Sequence, residues 1–431
     1  MNITVFGTGY VGLVAGVCFA DAGHHVICAD IDKNKIEKLN KGTPTFFEPG
    51  LEDYLKKGLK KKTLTFTTQL EEAVYKSKII FIAVGTPQDP NGKADLTYIF
   101  NVVGTIVDNA NEEKTIIMKS TVPVGTHKKI EKLLKKSKFP LHYVSNPEFL
   151  REGKAVEDFL KPERVVLGGT HKASIETLKG LYKPFLSLDR PILTMTQASA
   201  EMAKYACNTY LATRISFINE MANLSERLGA NIKDVKKVMT HDKRIGHRFL
   251  YPGVGYGGSC FPKDVSALIH TADESDCDLK ILKATHQTNE AQKLILFYKV
   301  LKYFLGELKG KKITLWGISF KPHTDDIREA PSVVIIQKLL KEKAHVSTYD
   351  PIAQDNLKKD FGDCIEYAND PYEALHNSEA LLILTEWNEF RTPDFSLMKE
   401  KMKNPALFDG RNIYERKTIE KCGFYYEGIG T

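Results

Sequence analysis

Apolar positions fall in short unbroken runs near the amino terminus. Ile3-Thr4-Val5-Phe6 is one run and Val26-Ile27-Cys28-Ala29 a second. Ile79 to Val84, Thr115 to Met118 and Leu141 to Val144 follow. Turn residues bound each run, and helical stretches separate them, the first from Val11 to Ala22 with Gly23 at its end. Short apolar runs without alternation are strands buried on both faces. Strands alternating with helices predict a parallel sheet covered on both sides. From Ile192 to Leu228 the texture changes: neither Gly nor Pro occurs, and Ala, Met, Leu, Glu, Asn and Arg dominate. That stretch predicts one or two long helices, too long for a sheet crossover.

The carboxyl-terminal third returns to strands and echoes the beginning. Ile3 to Gly7 matches Ile313 to Gly317, His25 to Asp30 matches His345 to Asp350, and Lys78 to Val84 resembles Glu379 to Thr385. Three echoes in one order predict two nucleotide-binding-type domains of similar topology. The expected fold class is α/β: two doubly wound, dinucleotide-binding-like (Rossmann-type) domains joined by a long-helix central domain. The expected boundaries are 1–197, 198–295 and 296–431. The second copy lacks the first one's glycine triplet and carries Ser319-Phe320-Lys321-Pro322 instead.

Composition narrows the class without choosing a function. Of 431 residues, 42% are hydrophobic and 27% charged, which is globular, and no apolar run approaches a membrane span. No signal segment is expected, because Met1-Asn2 leads directly into the first strand. Seven cysteines without a CxxC pair predict free thiols in a reducing compartment, hence a cytoplasmic protein, and no metal cluster is expected. The net charge of +7 suits an anionic small molecule. The lysine patches lack aromatic interleaving, which argues against nucleic acid.

Gly7-Thr8-Gly9-Tyr10-Val11-Gly12 closes the first strand and opens the first helix. In G-x-G-x-x-G the first glycine permits the tight turn, the second lets backbone approach a pyrophosphate, and the third lets helix pack on strand. The phosphates would sit at the amino end of the helix starting near Val11. Asp30 ends the next strand, where an acid bonds ribose hydroxyls and favours NAD over NADP; Lys35 nearby leaves some room for NADP. Thr86 and Thr121 each follow a later strand, at the carboxyl edge where such sheets bind ligands. Asn146 to Glu152 follows another. A helix beginning near Pro147 would put Glu148 and Glu152 on one face, suited to acid–base work. Glu201, Lys204 and Asn208 make one polar stripe on the long helix, either a solvent face or a cradle for a developing alkoxide.

GYGGSCFPKD, residues 255 to 264, is the least expected stretch for a dehydrogenase. Gly255, Gly257 and Gly258 would let backbone crowd a ligand. Pro262 predicts a helix start, which places Cys260 at its amino end with Lys263 adjacent and Asp264 one turn on. Such surroundings favour a reactive thiolate. An aldehyde beside a thiolate forms a thiohemiacetal, which can lose a second hydride to give a thioester that water hydrolyses. A thiol sharing a pocket with NAD therefore predicts oxidation of a primary alcohol through to a carboxylate. Lys204 and Asn208 would hold the oxyanions, and Asp264, Glu148 or Thr121 would move protons through water.

These blocks, with FEPGLE (47 to 52), KSTVPVGT (119 to 126), NPEFLREG (146 to 153), GISFKPHTDDIREAPS (317 to 332), TEWNEF (385 to 390) and DGRNIY (409 to 414), resemble the nucleotide-sugar 6-dehydrogenase (UDP-glucose/GDP-mannose dehydrogenase) family over nearly the whole chain. The resemblance implies an NAD-dependent four-electron oxidation, best matched to UDP-glucose becoming UDP-glucuronate, with GDP-mannose or UDP-N-acetylmannosamine as alternatives. It implies Cys260 as nucleophile, with Lys204, Asn208, Asp264, Thr121, Glu148 and Glu152 around it. It assigns Gly7, Gly9, Tyr10, Val11, Gly12, Asp30, Lys35, Thr86, Thr121, Glu152, Lys263 and Arg328 to NAD. To the sugar nucleotide it assigns Glu148, Phe149, Leu150, Arg151, Lys204, Asn208, Tyr251, Gly255, Tyr256, Gly257 and Lys321. Arg244 would come from the other subunit of a homodimer. A two-electron dehydrogenase with a structural Cys260, and a nucleotide-sugar sensor without turnover, are the competing expectations.

Overall fold

The structure, a computed structural model, describes residues 1–89 and 92–431. The chain divides into two compact units. One comprises Met1–Cys207 and His270–Asp276, the other Asn208–Ile269 and Cys277–Thr431.

The first unit is built on eight strands: β1 (Asn2–Phe6), β2 (His25–Ala29), β3 (Leu64–Thr67), β4 (Ile79–Ile82), β5 (Lys114–Met118), β6 (Leu141–Ser145), β7 (Val165–Gly168) and β8 (Ile192–Met195). Their order is β3-β2-β1-β4-β5-β6-β7-β8, parallel except where β6 meets β7. Strand order reverses between β1 and β4, so ligands belong at the carboxyl ends beside that switch. The helix α1 (Tyr10–Asp21) buries Leu13, Val14, Val17 and Phe19 against the sheet. Phe19 anchors an aromatic cluster with Phe81, Phe159, Tyr182 and Phe185.

The second unit carries six parallel strands: β9 (Lys312–Trp316), β10 (His345–Tyr349), β11 (Glu366–Tyr367), β12 (Ala380–Ile383), β13 (Ala406–Asp409) and β14 (Tyr425–Glu427). Their order, β11-β10-β9-β12-β13-β14, reproduces the first six strands of the other sheet. All three sequence echoes therefore fall on equivalent strands: β1 with β9, β2 with β10, β4 with β12.

One expectation fails. Ile192 to Met195 is the edge strand β8, paired with β7 through Val165↔Ile192, and not the start of a helix. The long helix begins at Gln197 and runs to Leu228. Thr196 supplies the stop signal that composition did not reveal: its hydroxyl accepts from Ser199 N at 3.2 Å, capping the helix. Among the described residues no helix is long and apolar enough to cross a membrane.

Candidate active site

In the first unit the turn after β1 separates the roles of its three glycines. Gly7 has φ +95°, and a Cβ there would meet Ala83 O at 2.6 Å. A Cβ on Gly12 would lie 2.0 Å from Gly7 O, so the helix can approach the strand only without one. Gly9 faces open space, with nothing within 4 Å of its would-be Cβ. No side chain caps α1 at Gly9 and no acid occupies its first turn. Open backbone and uncommitted helix N–H groups are what a dinucleotide's phosphates require. Asp30 follows β2 and fixes the turn, its Oδ2 accepting from Thr8 N at 2.8 Å and Thr8 Oγ1 at 2.7 Å. Lys35 is exposed and 4.0 Å from Asp32. The Tyr10 hydroxyl accepts from Gly153 N at 2.7 Å, and Val11 beside it is half-buried.

The carboxyl ends of β4, β5 and β6 bring other expected residues together. Thr86 Oγ1 donates to Thr121 O at 3.1 Å. Thr121, Pro147, Glu201 and Lys204 line one narrow crevice. Lys204 Nζ lies 2.7 Å from Glu148 Oε1, with side chains only 3% and 5% exposed. A second oxygen of Glu148 accepts from Leu150 N. The Phe149 ring lies under Arg164 at 3.8 Å and 5.4 Å from the Lys204 ammonium. Arg151 is forked onto Asp158.

Two readings are decided here. Residues 146 to 153 do not form a helix, so Glu148 and Glu152 do not share a helical face; the next helix is Ala155–Leu160. Gly153, at φ +76°, turns the chain, and the buried Glu48 of FEPGLE holds that corner by accepting from Gly153 N and Ala155 N, both at 2.7 Å. The stripe on the long helix is not a solvent face, because Glu201, Lys204 and Asn208 are all buried. Glu201 caps the helix Thr126–Leu134, accepting from Gly125 N at 2.7 Å, His127 N at 2.9 Å and the His127 ring at 2.8 Å.

Sequence reasoning passed over Lys119. It is buried at the end of β5 with Nζ donating to Asn146 Oδ1 at 3.2 Å and Tyr182 Oη at 3.3 Å. Burial pushes its pKa down to about 8, with Glu148 pulling it up and Lys204 pushing it further down. A lysine directly after the apolar run of β5 was the available signal.

In the second unit the helix Phe261–Asp273 starts immediately after Cys260, as the proline predicted, and Asp264 N donates to Cys260 O at 2.8 Å. Cys260 is half-buried, with Ser259 Oγ 3.5 Å from its sulfur. Cys18 and Cys28 lie in the core, where burial pushes the Cys28 thiol up to about 12. Asp264, 1% exposed, accepts from Asn208 Nδ2 at 2.6 Å and lies 2.7 Å from Lys263 Nζ.

The glycines of this loop pack closely on the side where a side chain would stand. A Cβ on Gly255 would meet Asn289 Oδ1 at 2.9 Å, on Gly257 Glu329 O at 2.3 Å, and on Gly258 the Phe320 ring at 2.7 Å. Asn289 then holds Tyr256 by both backbone groups, at 2.8 and 3.0 Å. Arg328 is forked onto Asp326, and its carbonyl accepts from Gly258 N. The Lys321 ammonium lies 5.2 Å over the Phe320 ring. Tyr251, with Lys236 over its ring at 3.7 Å, borders a cavity of about 630 Å³ whose cationic lining is Lys233, Lys236, Lys237, Arg391 and Arg411. Arg411, another residue passed over, reaches the carbonyls of Leu384 and Phe320 at 2.6 and 3.0 Å. Within the chain Arg244 meets only Asp242 among described partners, and its side chain is 89% exposed.

Comparison with known proteins matches three consecutive segments to one family. Residues 1–186 match the NAD binding domain of the UDP-glucose/GDP-mannose dehydrogenase family, 198–291 its central domain and 314–416 its UDP binding domain. The chain belongs to this family. The UDP-glucose 6-dehydrogenases of Pseudomonas aeruginosa and Rhizobium meliloti are 42% and 43% identical, each aligning with 100% of this chain and with 97% and 99% of their own lengths. A UDP-glucose dehydrogenase structure from Pyrobaculum islandicum superimposes with a TM-score of 0.91 at 36% identity, covering 100% of this chain and 97% of that one. The open Gly9 turn therefore lies in the family's NAD-binding domain, and the Lys321 and Arg411 segments in its UDP-binding domain.

Proposed function

We propose that this protein oxidises UDP-glucose to UDP-glucuronate with NAD⁺, in two hydride transfers with a covalent intermediate on Cys260. The observation that carries the reading is the seat of Cys260: half-buried at a helix start, one turn from a carboxylate fixed by Asn208 and Lys263. The names of the full-length relatives support the choice of sugar nucleotide.

When bound, NAD⁺ supplies the hydride acceptor, once in each oxidation. Gly9, the start of α1 and Asp30 hold it in this reading, with Thr86, Thr121, Glu152, Lys263 and Arg328 contributing. The substrate's C6 hydroxyl loses its proton to a base and C6 loses a hydride, giving an aldehyde. Cys260 Sγ adds to the aldehyde carbon, forming a C–S bond and a hemithioacetal alkoxide. Loss of the second hydride leaves a thioester. Water then adds to it, the C–S bond breaks, and the carboxylate leaves Cys260 as thiolate. Lys204, already neutralised by Glu148, is a preorganised cation for the successive oxyanions. The amide of Asn208 has a second N–H besides the one on Asp264, which serves the same purpose. Asp264 stays oriented by its two partners and positions the water.

Dimerisation, a cytoplasmic setting and the division into NAD-binding (1–197), central (198–295) and UDP-binding (296–431) parts belong to the same proposal. Tyr210, Phe217, Leu224 and Leu228 are exposed along one side of the long helix, an apolar stripe that supports self-association and a crossing Arg244. Seven free cysteines support a reducing compartment. A panel of nucleotide sugars scored for NADH per sugar tests the reading. UDP-glucose should yield two NADH and an acid. A single NADH would instead favour the two-electron dehydrogenase, and preference for GDP-mannose or UDP-N-acetylmannosamine would reassign the substrate.

A further inference from the structure

Glu113, His142 and His171 lie far apart in sequence and meet at the opposite edge of the first sheet. Glu113 immediately precedes β5, His142 is the second residue of β6, and His171 is the residue before the helix Lys172–Tyr182. Register explains the meeting. Thr115 pairs with His142 across β5 and β6, and Glu113, two residues before Thr115, projects to the same side. Thr115 Oγ1 is 2.7 Å from Ser174 Oγ, which is 2.9 Å from His171 Nδ1. The result is one ligand atom from each of the three residues, all within 4.8 Å of one another. Thr121, Glu148 and Asp30 follow the carboxyl ends of their strands, roughly 15 Å away along the strand direction, so this cluster is separate from the candidate active site.

We propose that Glu113, His142 and His171 bind one divalent transition cation of the zinc class. Two imidazoles and a carboxylate with a water as fourth ligand are an established donor set for such ions. His142 Nε2 is 2.9 Å from Glu113 Oε1, sharing a proton that an ion would replace. The buried Ser174 can accept from His171 Nδ1–H, which leaves Nε2 as the ligand; an outer partner of this kind commonly fixes a metal-binding histidine. The two rings now stack at 3.5 Å and 8°, so their lone pairs run side by side. A shared ion requires one ring to turn about its Cβ–Cγ bond, a soft torsion. His142 is the one to turn, because the Glu113 side chain, 61% exposed, can follow it, whereas Ser174 holds His171. The lysines beside the cluster are committed elsewhere: Lys78 to Glu112 at 2.9 Å and Lys114 to Ser77 O at 2.9 Å.

The test uses the full-length protein after chelator treatment, titrated calorimetrically with Zn²⁺ alone and melted with and without it. One Zn²⁺ should bind per chain, and the melting temperature should rise with its concentration, since an ion that binds only the folded state stabilises it. His142→Ala and His171→Ala should each weaken binding at least about tenfold and abolish the thermal shift. Both variants should keep wild-type turnover of UDP-glucose, so the outcome does not depend on the reaction assignment. The absence of stoichiometric binding overturns the proposal. So does binding that both histidine variants retain, which would place the ion on the cysteines.

Discussion

The two sheets begin alike and end their first strands differently. Gly7 and Gly317 both have positive φ, +95° and +86°. Both donate to the neighbouring strand's last residue, Ala29 O and Tyr349 O. A Cβ on either would strike the backbone at the end of the next strand over, Ala83 O or Thr385 N, at 2.6 Å. Asp30 and Asp350 then take up the turn. Asp30 is half-buried and accepts from Thr8 N, Thr8 Oγ1 and Asp32 N. Asp350 is buried and accepts from Ile318 N, Ser319 N, Ser319 Oγ, Ile352 N, Ala353 N and Trp387 Nε1. α1 starts three residues after Gly7, whereas the helix Pro331–Lys341 starts fourteen after Gly317. The same frame thus serves two ends. One turn leaves helix N–H groups and an acid open to a dinucleotide; the other closes its acid into a structural hub and has no helix start for the phosphates.

The comparison breaks if chemistry and cofactor binding cannot be separated. Cys260→Ser should lower turnover at least about a thousandfold, with NAD affinity by fluorescence titration near wild type. Loss of NAD binding in parallel would show that the thiol's place is structural. A smaller contrast lies between the two acids. Asp350→Ala strands several buried donors and should cost about 3–4 kcal/mol of unfolding free energy in urea. Asp30→Ala should cost about 1 kcal/mol and mainly weaken NAD. Equal stability losses would mean the two turns are not specialised.

Within the first turn, Gly12→Ala should destabilise by roughly 2–3 kcal/mol, because its Cβ has no room beside Gly7 O. Gly9→Ala should fold as wild type and bind NAD at least about tenfold more weakly. If Gly9→Ala bound NAD normally, the open face would not be the phosphate site.

How much of this was legible follows the range of the interactions. The strand echoes, the turn glycines and the helix start after Cys260 depend on neighbours within a few residues, and sequence carried them. Glu148 and Glu152 were misread because local spacing suggested a helix, while Glu48, about a hundred residues away, holds the corner that replaces it. The glycines at 255, 257 and 258 are also required because Asn289, Glu329 and Phe320 stand where a Cβ would go, and only the fold brings those residues near. Glu113, His142 and His171 carry no metal-type spacing; strand register alone assembles them.

The smallest effect concerns the cation the sequence did not single out. Lys119 titrates near 8 in the folded chain against an ordinary 10.5, chiefly through burial. Between those values the unfolded chain holds more protons than the folded one, so stability rises with pH across the window and the penalty is full below 8. Lys119→Met should remove this slope together with the ammonium's approach to the Phe159 and Tyr182 rings, at 5.9 and 5.7 Å. From pH 7.5 to 9.5 the wild type should gain about 2 kcal/mol over the variant in urea unfolding. Using the difference between the two proteins cancels the buried Tyr143 and Tyr182, whose raised pKa values act in the opposite sense at higher pH. Removal of the Lys119 ammonium also takes a donor from Asn146 Oδ1, in the segment that presents Glu148 to Lys204, so turnover at pH 7 should fall. Unchanged turnover with an altered stability slope would show that Lys119 is not needed to hold Asn146, and with it the segment that presents Glu148.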